Sequence, residues 1–148
     1  MTACLPDINV LIALAWPSHI HHRQALKWFE ALGDAPWATC PFTQSGFIRI
    51  SSNPSIIEDA VSPREALQVL RRLTGLGQHL FWPDDLDFTG AAELPISLVM
   101  GHRQVTDAYL LGLAIRNRGA LVTLDRSIHD LLPAGSPHRP VVRVIGRD

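Results

Sequence analysis

Apolar residues recur along this chain in short blocks of two kinds, and the two kinds alternate. Compact runs read as buried strands: Ala3–Leu5, Trp37–Cys40, His79–Trp82, Ala120–Leu124 and Val141–Ile145. Between them, apolar positions return every three or four residues, the spacing of one helix face. Ile8, Leu11, Ile12 and Ala15 mark a first helix, which Trp16-Pro17 ends. His19–Leu32 reads as a second, with Gly33 placed to close it in the left-handed conformation. Pro41 opens a third helix that runs through Ile50 and stops at Asn53-Pro54. Ser62-Pro63-Arg64-Glu65 combines a capping hydroxyl, a first-turn proline and an acid three residues on, which predicts a fourth helix up to Gly75. A fifth spans Asp107–Ile115, with Thr106 as its expected cap. A short helical turn follows Asp125 up to Leu132. Pro83–Gly90 and Pro133–Pro140 read as loops, and Ile96–Met100 has no clear period. Strands alternating with helices predict one α/β domain over residues 1–148, with a central parallel sheet flanked by helices.

Composition narrows the picture. Hydrophobic residues make up 47% and charged residues 18% of the 148-residue chain, enough for one well-filled core and too apolar for a disordered chain. Cys4 and Cys40 are the only thiols and lie in strand-like runs, so two buried, reduced cysteines are expected. The opening MTACLPD has no basic stretch leading into an apolar one, and no run reaches the ~18 residues of a membrane span. A cytoplasmic protein without a membrane segment is expected. The formal charge is −1, so no basic field points to nucleic acid. The basic residues are nevertheless 12 Arg and one Lys, Lys27, and guanidinium grips phosphate at two points.

The strongest chemical signal is the placement of Asp7, Asp107 and Asp125, each where an apolar run meets a helix start. One reading is ordinary capping, in which an aspartate oxygen accepts an early backbone N–H. The other follows from the fold class. Sites in open parallel sheets form beyond the carboxyl ends of the strands, and Asp7 and Asp125 fall on that edge if their strands are central neighbours, while Asp107 can sit in the N-terminal turn of its helix. Anions gathered there repel one another, and at least one is driven toward its neutral form without a counter-cation. Mg²⁺ or Mn²⁺ suits such oxygen donors, and two such divalent cations would reverse the local sign of three carboxylates so that a phosphate is attracted. Asn9 and Thr123 lie close enough in sequence to support an acid, although a local turn bond and strand filling serve as well. Arg103 and Arg126 flank two of the acids and are candidate contacts for substrate phosphates.

Four segments together, LPDINVLIAL, WATCPFTQSGFIRISSNP, GHRQVTDAYLLGLA and ALVTLDRSI, resemble the PIN-domain ribonucleases. The resemblance is closest to the VapC-type toxins of bacterial toxin–antitoxin pairs, in particular the group abundant in mycobacteria. It covers nearly the whole chain in the same order. It implies a PIN-like domain and a metal-dependent endoribonuclease, a hydrolase of RNA phosphodiesters. Asp7, Asp107 and Asp125 are then the catalytic and metal-holding acids. The family's remaining acidic position, usually Glu in the third helix, is expected to fall on Gln44, whose amide can ligate but brings no charge. A further acid found in some members falls on Ser127. The resemblance also implies Mg²⁺ or Mn²⁺ as cofactor, a structured RNA such as tRNA as substrate, a VapB-type antitoxin as inhibitor, and a homodimer. Trp16, Trp28, Phe29 and Phe47 are the expected antitoxin contacts.

The substitution at Gln44 also motivates a different class of function, a PIN-fold module that binds RNA or protein without cutting. Other chemistries find no support. His19, His21 and His22 lack the partners that zinc needs, and Ser45 has no nucleophile-elbow context. A phosphoacceptor domain would need a lysine after a late strand, and Lys27 comes too early.

Overall fold

The computed structural model describes residues 2–146. Five strands, β1 (Cys4–Pro6), β2 (Pro36–Thr39), β3 (Gln78–Phe81), β4 (Ala120–Thr123) and β5 (Val142–Val144), form one sheet. Its order is β3-β2-β1-β4-β5, and every pairing is parallel. Five helices connect the strands: α1 (Ile8–Ala15), α2 (His22–Ala31), α3 (Pro41–Ser51), α4 (Pro63–Thr74) and α5 (Val105–Arg116). Short 3₁₀ turns occupy His102–Gln104, Arg126–Leu131 and Arg139–Val141.

Alternation along the strands places helices on both faces, because successive side chains point to opposite sides. Leu5 of β1 and Leu121 of β4 pack with Leu110, Leu111 and Leu113 of α5. Cys4 and Val122, one residue away on the same strands, pack with Val10 of α1 and the half-buried Trp28 of α2. Trp37, fully buried, joins Leu11, Phe47, Leu70 and Leu73 beneath α1, α3 and α4. Both cysteines are buried and unpaired, as expected. Ser62 caps α4 as predicted: its hydroxyl accepts the Glu65 N–H at 3.1 Å and donates to the Glu65 carboxylate at 3.0 Å. Gly33 follows α2 at φ +55°, where a side chain is strained.

The structure departs from the predicted elements in places that bear on the site. The α2 helix begins at His22, because His19–His21 fold into a turn. There His19 N–H donates to the Trp16 carbonyl and His22 N–H to the His19 carbonyl, both at 3.0 Å. Thr106 does not cap α5. The preceding 3₁₀ turn carries the helix start back to Val105, so Thr106 and Asp107 lie within its first turn. Ile96–Met100 forms loop and turns, with Met100 90% exposed. Phe47 is 0% exposed, so a helix face in the core claims it and it cannot touch a partner.

Candidate active site

From β1 the chain moves outward through β2 to β3 on one side, while β4 and β5 lie on the other. The crevice between β1 and β4 is therefore the topological switch point, where loops from both sides part. Asp7 follows β1 directly, and its N–H donates to the Val122 carbonyl of β4 at 2.9 Å. Asp125 lies two residues beyond β4, and its N–H donates to the Thr123 hydroxyl at 3.0 Å. Two of the three aspartates are also true caps. Asp7 Oδ1 accepts the Val10 N–H at 2.9 Å and starts α1. Asp125 Oδ1 accepts the Ser127 N–H at 2.9 Å and the Ser127 hydroxyl at 2.7 Å. Capping occupies one oxygen of each carboxylate, so capping and ligation are compatible.

Burial dominates the electrostatics. Asp7 is 5% exposed, and its pKa is pushed up from 3.8 to about 6. Desolvation is the main cause. Hydrogen bonds from the Thr123 hydroxyl and the Val10 N–H pull the other way, and the charges of Asp107 and Asp125 add to the rise. Half-buried Asp107 is likewise raised to about 6, by desolvation first and by Asp125 second, with no hydrogen bond to offset it. The sequence suggested mutual repulsion as the driver. Repulsion is present, but loss of water is the larger effect. Thr123 does more than fill its strand, since its hydroxyl serves both Asp7 and Asp125.

Asp7 and Asp107 line one cavity of about 220 Å³, together with Asn9, Ile50, Arg103 and Thr106. Asp125 is exposed and lines an adjoining cavity of about 480 Å³ with Asn9, His19, Ile20, His21 and Leu124. Asn9 stands in the wall of both. Among the described residues, no three His, Cys, Asp or Glu side chains stand close enough to hold a metal ion. Arg103 is exposed at the first cavity and pairs with no acid among the described residues, where the ion pairs found are those of Arg116 with Asp85 and Glu93. Arg126 is exposed on the turn after Asp125 and lines neither cavity.

Gln44 does not line the carboxylate cavity. Its amide nitrogen donates to the Thr39 hydroxyl at 3.1 Å, and that hydroxyl also lies 2.8 Å from His79 Nε2. At 3.6 residues per turn, Gln44 sits roughly 160° around α3 from Gly46. Gly46 is the residue packed against Ile8, next to Asp7: a Cβ there would fall 2.3 Å from Ile8 Cδ1. The face of α3 nearest the acids therefore presents glycine and Ile50 and no charge. The sequence alone does not single out Thr106, Ile50 or the His19–His21 turn as site residues. The first two are cavity walls only because α5 starts early and α3 crosses α1.

The parallel α/β domain thus carries one buried and one half-buried carboxylate in a cavity at its switch point, with a third, exposed, beside it. The chain belongs to the PIN-domain family, whose model matches residues 4–131. Among curated proteins it is 44% identical over 135 residues to Ribonuclease VapC39 of Mycobacterium tuberculosis, covering 91% of this chain and 96% of that protein. It is 44% identical over 127 residues to Ribonuclease VapC38 of the same organism, covering 86% and 88%. Ribonuclease VapC29 follows at 41% over 131 residues, covering 88% and 91%.

Proposed function

We propose that this protein is a metal-dependent endoribonuclease and the toxin of a type II toxin–antitoxin pair. The observation that carries the reading is the pair of partly desolvated acids, Asp7 and Asp107, in one cavity at the switch point. Kinship with proteins named ribonuclease VapC supports it. Hard oxygen donors that lose solvation, and that no ion pair among the described residues neutralises, suit a divalent cation. Asp7 and Asp107 would hold Mg²⁺ or Mn²⁺, with Asp125 approaching from the adjoining cavity. When bound, the cation would supply a hydroxide nucleophile near neutral pH by lowering the pKa of water, and would steady the charge that builds on a phosphoryl group.

The chain's own residues supply the rest. Thr123 holds Asp7 and the backbone at Asp125 in place, and Arg103 at the cavity offers its guanidinium to an RNA phosphate. Arg126 meets the strand further out. Hydrolysis of this kind leaves a 5′-phosphate and a 3′-hydroxyl. Gln44 is assigned no ligand role, because its amide is held by Thr39.

The substrate is proposed to be a structured RNA such as tRNA, and the inhibitor a VapB-type antitoxin carrying an amphipathic helix. Half-buried Trp16 and exposed Ile56 line a mixed polar and apolar cavity of about 320 Å³, with His19, Ile20 and Glu58 also in its wall, and we assign the antitoxin helix to it. Trp28 and Phe29 are half-buried and pack largely within the fold. No helix among the described residues is long and apolar enough to cross a membrane, and we assign the protein to the cytoplasm. The test is cleavage of an RNA panel with Mn²⁺, with EDTA, and with Asp7→Asn. Cleavage should need both the metal and the carboxylate; cutting that persists without either refutes the mechanism. RNA binding with no cleavage and no Mn²⁺ uptake would favour the binding module instead, the reading that the uncharged α3 face supports.

A further inference from the structure

The larger cavity beside Asp125 is not used by the mechanism above. Its roof is the turn between α1 and α2, residues His19–His21, and its floor is Leu124 and Asp125. At about 480 Å³ it falls within the ~300–1,000 Å³ typical of small-ligand sites. Asn9 joins it to the cavity of Asp7 and Asp107.

The chemistry of the roof is fixed by the backbone. His21 N–H donates to His19 Nδ1 at 3.0 Å. An amide N–H cannot accept, so His19 Nδ1 bears the lone pair and the neutral ring carries its proton on Nε2. Burial and the neighbouring imidazoles of His21 and His22 favour that neutral form. His22 has the opposite arrangement: its Nδ1 lies 2.8 Å from the Ala13 carbonyl, which only accepts, so His22 Nδ1 carries the proton. His22 thereby ties the turn to α1. His19 is thus a half-buried ring whose free edge is a donor, on a turn pinned at both ends. Next to it Ile20 is 84% exposed, an unusual position for a large apolar side chain.

We propose that this cavity is a nucleotide subsite for the RNA strand entering the carboxylate centre, with His19 Nε2–H as a hydrogen-bond donor to the strand and Ile20 as an apolar wall for a base. The inference rests on the ribonuclease reading. His19 and Ile20 also line the cavity of Trp16 and Ile56; on the Asp125 side RNA is favoured over an antitoxin side chain because the cavity there shares Asn9 with the carboxylate cavity and has Asp125 in its own floor. A strand that places a phosphate at Asp7 and Asp107 extends into the adjoining space. His19 is a positioning and specificity residue that acts on strand binding, outside the acid set.

The test uses the full chain, with bulk tRNA and a labelled single-stranded oligoribonucleotide as probes. Three variants are compared with wild type: His19→Ala, His19→Gln, whose amide nitrogen reaches about as far as Nε2, and Ile20→Ser. Loss of one hydrogen bond is expected to raise KM, and oligoribonucleotide Kd in Ca²⁺, about fivefold in His19→Ala, with kcat and Mn²⁺ affinity by calorimetry within twofold of wild type. His19→Gln should recover most of the loss, and Ile20→Ser, at an exposed position, should show the KM effect without unfolding. Unchanged RNA affinity in both His19→Ala and Ile20→Ser overturns the subsite, including the case where antitoxin inhibition alone weakens. Equal losses in Ala and Gln overturn the donor role. If wild type cuts no RNA, the ribonuclease reading falls, and the oligoribonucleotide Kd series still decides the subsite.

Discussion

Asp7 is held in place against its own preference for water. Its pKa rises from 3.8 to about 6 on folding, so the metal-free native state favours the proton more than the unfolded chain does. A raised folded-state value gives stability that is fully present below about pH 4 and is lost as pH climbs through about 6, roughly 1.4 kcal/mol for each pH unit that separates the folded and unfolded values. Asp107 has the same sign. With EDTA present, the melting temperature should therefore fall between pH 4.5 and pH 7.5 by more than in Asp7→Asn, which should also melt higher than wild type at pH 7.5. Saturating Mn²⁺ should remove most of the difference, since a ligand that binds only the native state stabilises it. Thermal melts across that pH range check this, and a wild-type melting temperature that rises with pH would contradict it. At Gln44 a negative result is expected. Its amide faces Thr39 and His79, so Gln44→Glu should change Mn²⁺ affinity by less than about twofold, against the several-fold gain a true metal ligand would bring. Calorimetry that finds a tenfold gain would place this side chain back at the acids.

Helix crossings decide what reaches the site. The α1 and α3 helices meet where Gly46 lies against Ile8, and a Cβ at Gly46 would stand 2.3 Å from Ile8 Cδ1 and 2.7 Å from Cγ1. Ile8 is β-branched and stiff, so relief needs a rotamer change or a shift of α3. Gly46→Ala should cost about 1–3 kcal/mol by overpacking, despite its better helix propensity. Ile8→Ala in the same chain should recover much of that loss. Urea titration of the two single variants and the double variant measures the coupling, and additive losses would show that the contact is not the cause. The sequence revealed these helices but not this contact. Periodicity names the face of α3 that is buried, yet Gln44 and Gly46 are two residues apart and only the crossing shows which one meets α1. The same limit moved the start of α5. Thr106 before Asp107 has the look of a cap, but the 3₁₀ turn at His102–Gln104 extends the helix and makes both residues parts of its first turn.

At the scale of the whole molecule, exposed apolar side chains remain around the fold, among them Ile56, Phe81 and Met100. The family resemblance points to pairing of two chains through helices, and light scattering should find a species of twice the 16.3 kDa chain mass at micromolar concentration. Only single chains under those conditions would count against a dimer.

Much of this protein was written in the order of its residues. Strand and helix periods, the two prolines and the serine that start helices, and the aspartates after β1 and β4 follow from local chemistry that needs no tertiary contact. Those features define an α/β chain with acids at one edge, and four short segments define its kin. What only the tertiary structure decided was which side chains share a space. Asp7 and Asp107 open into one cavity, Asp125 into the next, Gln44 turns to Thr39, and His19 joins the wall beside Asp125. Loss of water at Asp7, the largest force on its proton, exists only once α1, β4 and α5 close around it. Local sequence sets backbone preference and hydrogen-bond chemistry, whereas burial and proximity depend on residues distant in the chain.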